Sequence, residues 1–340
     1  MDEIKERIKT IHRDFIIADA HMDLLFDVEK RRKKGQKKVI ETEHLPEFVQ
    51  GGVNIVVSSI YIEDEFLPEM ALRKALDQIS AFFCELDESA DKIMLLKSRS
   101  DIDKALKEKK IGIMLSFEGV EPLLNDINLL RIFYELGVRG VGLTWSRRNY
   151  AADGCSFGRK KDKENGLSPF GEQVVKEAQR LGMIVDVSHL NEAGFWDVMK
   201  IAEKPVIASH SNCRAINDIM RNLTDDQISA LAKSGGVIGV NAASVLVAES
   251  NADVKVLADH VDHLKEIAGV DHICLGFDFC DRIFRSNLVD NEKKSNDVIK
   301  GHKYMWQLTE ELVKRGYSDD ELRLIYGENF LRVLKNLLQN

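Results

Sequence analysis

Eight short apolar runs, each ending in polar residues and followed by a stretch of helical period, recur along this 340-residue chain. They occupy residues 15–21 (FIIADAH), 53–61 (VNIVVSSIY), 111–118 (IGIMLSFE), 138–145 (VRGVGLTW), 183–189 (MIVDVSH), 205–210 (PVIASH), 237–241 (VIGVN) and 273–279 (ICLGFDF). Such alternation builds a parallel sheet whose strands are joined by helices, and eight units suit an α/β fold closed into a (β/α)8 TIM barrel. The helical stretches between them include 68–86, 128–136, 171–181, 192–202, 224–233 and 254–268. Thr224 precedes Gln227 by three residues, a capping-box spacing, and Gly137, Gly182 and Gly269 each follow a helical run as a stop signal. Beyond Phe279 a basic and polar stretch at 282–300 leads to two helix-like segments, 301–315 and 319–338, expected to pack on the barrel as a C-terminal extension.

With only 5 prolines and no Ser/Gly-rich tract, no linker is visible, so a single barrel domain over 1–340 is expected, its extension covering about 282–340. A chain of this size buries a large core without help from disulfides or structural metals, so any metal would serve chemistry. The cysteines Cys84, Cys155, Cys213, Cys274 and Cys280 are odd in number and form no Cys-x-x-Cys pair, which reads as reduced thiols. The amphipathic N-terminal stretch lacks the apolar centre of a signal peptide and no apolar run has membrane-spanning length; a cytoplasmic location and no membrane partner are expected. A net charge of -8 argues against nucleic acid as a partner. The local exception is the basic run Lys30, Arg31, Arg32, Lys33, Lys34, Lys37 and Lys38, expected in a loop on the catalytic face, where it either is solvated or concentrates anionic peptides.

In a barrel of this kind functional groups lie at the C-terminal ends of the strands. There the chain places His21 with Asp23 two residues on, then Glu118, His189, His210 and Asp278. A lone histidine after a strand is more often structural than a ligand, but three of the nine histidines fall on this one rim. Three imidazoles with three carboxylates suit a borderline metal such as zinc. The remaining histidines, His12, His44, His260, His263, His272 and His302, read as structural.

Seven fragments in order carry a resemblance: Asp-Ala-His-Met-Asp (19–23), Ser-Phe-Glu-Gly-Val-Glu-Pro-Leu (116–123), Asp-Val-Ser-His (186–189), Ala-Ser-His-Ser-Asn (208–212), Arg-Asn-Leu-Thr-Asp (221–225), Gly-Phe-Asp-Phe (276–279) and Gly-Glu-Asn-Phe-Leu-Arg-Val-Leu (327–334). Together they resemble the renal, or membrane, dipeptidase family. The resemblance implies two divalent metal ions, usually zinc, with His21 and Asp23 on one, His189 and His210 on the other and Glu118 bridging both. It also implies Asp278 as the general acid/base that takes a proton from the attacking water and delivers it to the leaving amine. Arg221 matches the family's arginine for the free carboxylate of the substrate, a role suited to a guanidinium fork, with a surface arginine as the alternative. Trp145 stands where mammalian members carry a substrate-binding histidine and resembles the bacterial branch. Cys280 and Asp281 replace the family's usual Asp-Gly, which brings an oxidisable thiol close to the site.

The function so implied is that of a metal-dependent dipeptidase, a hydrolase that uses a metal-bridged hydroxide and tolerates a D-residue at the C-terminal position of its dipeptide substrate. A lactamase, a lactonase or another amidohydrolase would keep the metals and change the bond. Against the commoner amidohydrolase pattern, the first strand carries His-x-Asp rather than His-x-His. A barrel used only as a binding module would be favoured by missing ligands, and none of the five is missing. A homodimer is the default assembly.

Overall fold

The computed structural model describes residues 2–158, 165–281 and 297–339. Among them nine strands are found: β1 (Ile17–Met22), β2 (Val53–Ile60), β3 (Ile93–Leu95), β4 (Ile111–Glu118), β5 (Val138–Gly142), β6 (Ile184–Asp186), β7 (Val206–Ile207), β8 (Ile238–Val240) and β9 (Ile273–Leu275). All pair in parallel, in the order β7-β6-β5-β4-β2-β1-β9-β8. The two ends meet through Ala208, whose N–H donates to the Val237 carbonyl at 3.0 Å and whose carbonyl accepts from Gly239 at 2.8 Å. This closes the eight-stranded (β/α)8 barrel expected from the alternation. The seam depends on glycine: a Cβ at Gly239 or Gly276 would lie 1.9 or 1.8 Å from the Ser209 carbonyl oxygen.

β3 departs from the eight expected strands. β4 is eight residues long, and β5 pairs with its second half, from Leu115 to Glu118. The free edge of the first half, Ile111 to Ile113, is taken by the three-residue β3, too short to leave a readable apolar run. Several expected strands also end early. β6 stops at Asp186 and β9 at Leu275, because His189 (φ 66°) and Asp278 (φ 55°) occupy the left-handed region and cannot continue a strand.

Residues alternate between two cores. Ile17, Val56, Ile113 and Leu115 face the surrounding helices. Ala18, Ala20, Ile55, Val57, Met114, Ile184, Ile207 and Cys274 form a second cluster with Phe330, Leu331, Leu334 and Leu337. The helix Asn329–Leu337 therefore plugs one end of the barrel with its apolar face, a closer role than an extension laid on the outside. The segment expected as one helix at 319–338 is Asp319–Arg323, a π-helical turn Leu324–Glu328, and Asn329–Leu337. The polar stretch expected at 282–300 lies mostly outside the described residues.

The basic run is a correction in part. Lys30 to Lys33 form the last turn of the helix Leu24–Lys33, while Lys34, Lys37 and Lys38 lie in the non-helical segment that follows, as expected. Lys30 meets Glu63 at 2.7 Å, Arg31 meets Asp27 at 2.7 Å, Lys33 meets Glu29 at 2.5 Å and Lys38 meets Glu41 at 3.3 Å. Arg32 bonds both Glu88, at 2.8 Å, and the buried Glu85. Acidic partners on its own helix and on neighbouring segments cancel much of the field of these five residues, which weakens the ground for recruiting anionic peptides and leaves the exposed Lys34 and Lys37 as solvated charges. Among the described residues no helix is long and apolar enough to cross a membrane.

Candidate active site

The rim at the strand ends gathers all six expected groups. β1 carries His21, and Asp23 follows it at the N-cap of the helix Leu24–Lys33. Glu118 is the last residue of β4, on the same alternating face as Met114, which points it into the barrel mouth. His189, His210 and Asp278 each sit three residues past their strand. The left-handed backbone at His189 and Asp278 costs energy for non-glycine residues and is tolerated where the surroundings fix it, a mark of functional positions.

The side chains converge. The Nε2 of His21 lies 3.6 Å from Glu118 Oε1, 3.7 Å from Asp278 Oδ1 and 3.9 Å from Asp23 Oδ1. Glu118 Oε1 is also 3.1 Å from His189 Nε2 and 3.7 Å from His210 Nε2. The His21 and His210 rings stack at 3.7 Å. His21 Nε2 is buried with no hydrogen-bond partner, which is costly for a polar atom unless something else satisfies it. Ligand atoms on one tetrahedral zinc, each about 2.0–2.1 Å from the ion, stand roughly 3.3 Å apart. The observed separations bracket that value, and His21, Glu118 and His210 form a buried group able to hold a metal.

A second layer orients these groups. The Ser209 hydroxyl donates to Asp186, so its oxygen accepts from His210 Nδ1 at 2.7 Å. That fixes the proton on Nδ1 and turns the Nε2 lone pair into the cluster. His189 Nδ1 lies 2.8 Å from the Ser146 hydroxyl. Asp23 accepts from Ser59, and Asp278 Oδ2 accepts from the Asn241 amide at 3.0 Å. Arg221 is 2% exposed, with Nε 3.1 Å from His189 Nδ1, Nη1 2.9 Å from Ser211 Oγ and Nη2 2.8 Å from the His210 carbonyl. It braces both histidines from behind.

Burial and crowding govern the charges. Burial, then the nearby Arg221, pulls His21 down to about 3, and the same two causes hold His189 well below the usual imidazole range. For His210 burial comes first, followed by His21 and Arg221. These rings are neutral, the form that binds metal. Burial pushes Asp23, Glu118 and Asp278 upward, and for Glu118 and Asp278 the neighbouring Asp23 carboxylate adds to it. A cation is the natural counterion for this crowding.

A cavity of about 490 Å³ opens over Asp23, Glu118, His189 and Asp278. Trp145 lines it and packs edge-on to Tyr61 with ring centres 5.4 Å apart. Cys280 lines it too, but burial, with Asp278 next, pushes its thiol up, which suppresses the thiolate that oxidants attack. The six other histidines have bonding partners of their own; His302, for example, bonds Asp19 at 2.7 Å. Ser209, Asp186, Asn241 and Arg147 are contributors that sequence reasoning missed. Asp186 and Ser209 lie within the fragments 186–189 and 208–212 and Asn241 is the polar end of its apolar run, whereas Arg147 left no signal.

Comparison with known proteins agrees with this architecture. A Klebsiella pneumoniae protein described as an uncharacterized protein in the pqqA 5' region is 33% identical over 258 residues, 74% of this chain and 91% of its own length. Dipeptidase verJ of Clonostachys rogersoniana is 30% identical over 267 residues, 78% of this chain, and the match spans 66% of that protein's length. A metallo peptidase from Rhodobacter sphaeroides, solved with a phosphinate mimic of the dipeptide L-Ala-D-Ala, has the same fold, with a TM-score of 0.84 at 23% identity over 95% of this chain and 100% of that one. The sequence pattern of the membrane dipeptidase family, peptidase family M19, matches residues 5–340, and the chain belongs to that family.

Proposed function

We propose that the strand-end cluster is the two-metal centre of a dipeptidase and that the chain hydrolyses the single peptide bond of dipeptides. The observation that carries this reading is the convergence of His21, His189 and His210 Nε2 on Glu118, with His21 Nε2 buried and unpartnered. His21 and Asp23 would hold one ion, His189 and His210 the other, and Glu118 both; the donor set suits zinc. When bound, such ions lower the pKa of water and polarise a carbonyl.

The remaining steps belong to the chain. Asp278, steadied by Asn241, is close enough to the cluster to take a proton at Oδ1 and pass it to the departing amine. Arg221 carries a fixed positive charge behind His189 and does not line the cavity; in this reading it would receive the substrate's C-terminal carboxylate by giving up its contact to His189. Trp145 supplies an apolar wall. The phosphinate complex of the Rhodobacter enzyme, a mimic of L-Ala-D-Ala, supports a D-residue at the C-terminal position here as well.

The test is hydrolysis of paired L,L and L,D dipeptides by chelator-treated protein before and after zinc is restored. Turnover that returns with zinc and survives the D-residue is expected. No turnover with zinc bound would leave a metal site and transfer the search to other amides or lactones.

A further inference from the structure

The cavity above the carboxylates is walled mainly by rings and aliphatic groups: Phe26, Tyr61, Trp145, Phe157, Val245 and Leu246. Phe157 is 38% exposed and Val245 49% exposed, so apolar surface at its lip faces water until something covers it. The described lining contains no lysine or arginine. Its one wall carboxylate away from the cluster, Glu63, is already held by Lys30 at 2.7 Å, and Lys30 in turn stands 3.7 Å over the Phe26 ring.

Two of these rings are fixed from outside the cavity by Arg147. Its Nε donates to Glu121 Oε1 at 2.8 Å, one Nη to Asp64 at 2.9 Å, and the other to the Ile62 carbonyl at 2.7 Å. The guanidinium carbon lies 5.3 Å from the Tyr61 ring and 5.3 Å from the Trp145 ring. Arg147 thus ties together the segments that follow β2, β4 and β5, and two carboxylates neutralise its charge. A fixed wall of this kind accepts an apolar group without first having to be ordered.

We propose that these six residues form a side-chain seat selecting dipeptides with a large apolar or aromatic side chain, with Arg147 as the positioning residue that keeps Tyr61 and Trp145 in place. The inference rests on the dipeptidase reading of the same site and names its substrate class. A phenylalanyl or leucyl side chain removes water from the rings and from the exposed lip, whereas a glutamyl side chain loses its hydration with no cation in the described wall to receive it. The cavity of about 490 Å³ has room for such a side chain beside the scissile bond.

The test compares kcat/KM of the zinc-reconstituted enzyme for X-Ala and Ala-X dipeptides with X as Phe, Leu, Ala or Glu. In at least one series Phe and Leu should exceed Ala by about tenfold or more, with Glu below Ala, as expected when a pocket selects by apolar contact. The Phe-to-Ala ratio should fall towards one in Trp145→Ala and in Arg147→Gln and be kept in Trp145→Phe. Because the ratio is taken within one preparation, partial misfolding cancels, and a merely structural role would lower both substrates together. Alanine dipeptides cleaved as well as Phe and Leu in both series would overturn the seat and leave the dipeptidase standing. No cleavage of any dipeptide would overturn that reading and the seat with it.

Discussion

Ser209 stands 2.7 Å from Nδ1 of His210 and donates its own hydroxyl hydrogen bond to Asp186, so the imidazole is held in the one tautomer whose Nε2 is free to bind a cation. Removing the hydroxyl leaves both the ring and the buried carboxylate short of a partner. We expect Ser209→Ala to weaken zinc binding by about 10- to 100-fold, the usual cost of losing such an orienting group, and Ser209→Thr to retain it. Competition against a chromogenic chelator reads this directly; equal affinities in all three proteins would show that the hydroxyl orients nothing.

In the proposed reading Asp278 acts on the substrate rather than on the fold. Asp278→Asn keeps the shape and the bond from Asn241 in amended form but cannot accept a proton. We expect kcat to fall by about 10²- to 10⁴-fold while the metal content per chain is retained. Loss of metal in step with loss of activity would make Asp278 a ligand instead.

The pH dependence has a definite sign. The three histidines are held down by burial, so their contribution to stability is complete above an unfolded value of about 6.5 and fades as pH falls towards about 3, the folded value for His21. Asp23, Glu118 and Asp278 are pushed up, so their contribution is present below about 4 and is lost as pH rises through the folded values. Without metal the crowded carboxylates weigh more on the fold at higher pH, and there a divalent ion relieves most. The rise in Tm on adding zinc to chelated protein should therefore be larger at pH 8 than at pH 5.5, and a smaller rise at pH 8 would contradict the assignment.

The basic run should matter to stability and not to substrate capture. Arg32 is the partner of Glu85, whose side chain is fully buried. Arg32→Ala leaves that carboxylate with the Ile40 N–H, at 2.8 Å, but no countercharge from Arg32, and should destabilise the fold by about 3 kcal/mol in urea unfolding. KM for an anionic dipeptide should stay the same at low and high salt, whereas a KM that rises with salt would revive electrostatic recruitment.

The barrel was legible because its strands are buried on both faces and read as continuous apolar runs, and because the site residues are the polar groups that end them. Thr224 and Gln227 likewise form the capping box that their spacing announced. β3 was not legible, since three residues at 93–95 pair only with the edge of a longer neighbour that β5 leaves unpaired. Nor were the roles of Ser209, Asp186 and Arg147, which come from hydrogen bonds between separate segments, while seven basic residues among nine gave no sign of the acidic partners beside them. The early ends of β6 and β9 follow from the left-handed turns at His189 and Asp278, positions where the site overrides local preference.

The most direct measurement is a zinc titration of chelator-stripped protein in which bound metal and dipeptide turnover are followed together. Turnover should climb with loading and level off at two ions per chain, and it should stay absent in a His21→Ala/His210→Ala double variant. Full turnover by the stripped protein, or by that variant, would contradict the two-metal dipeptidase.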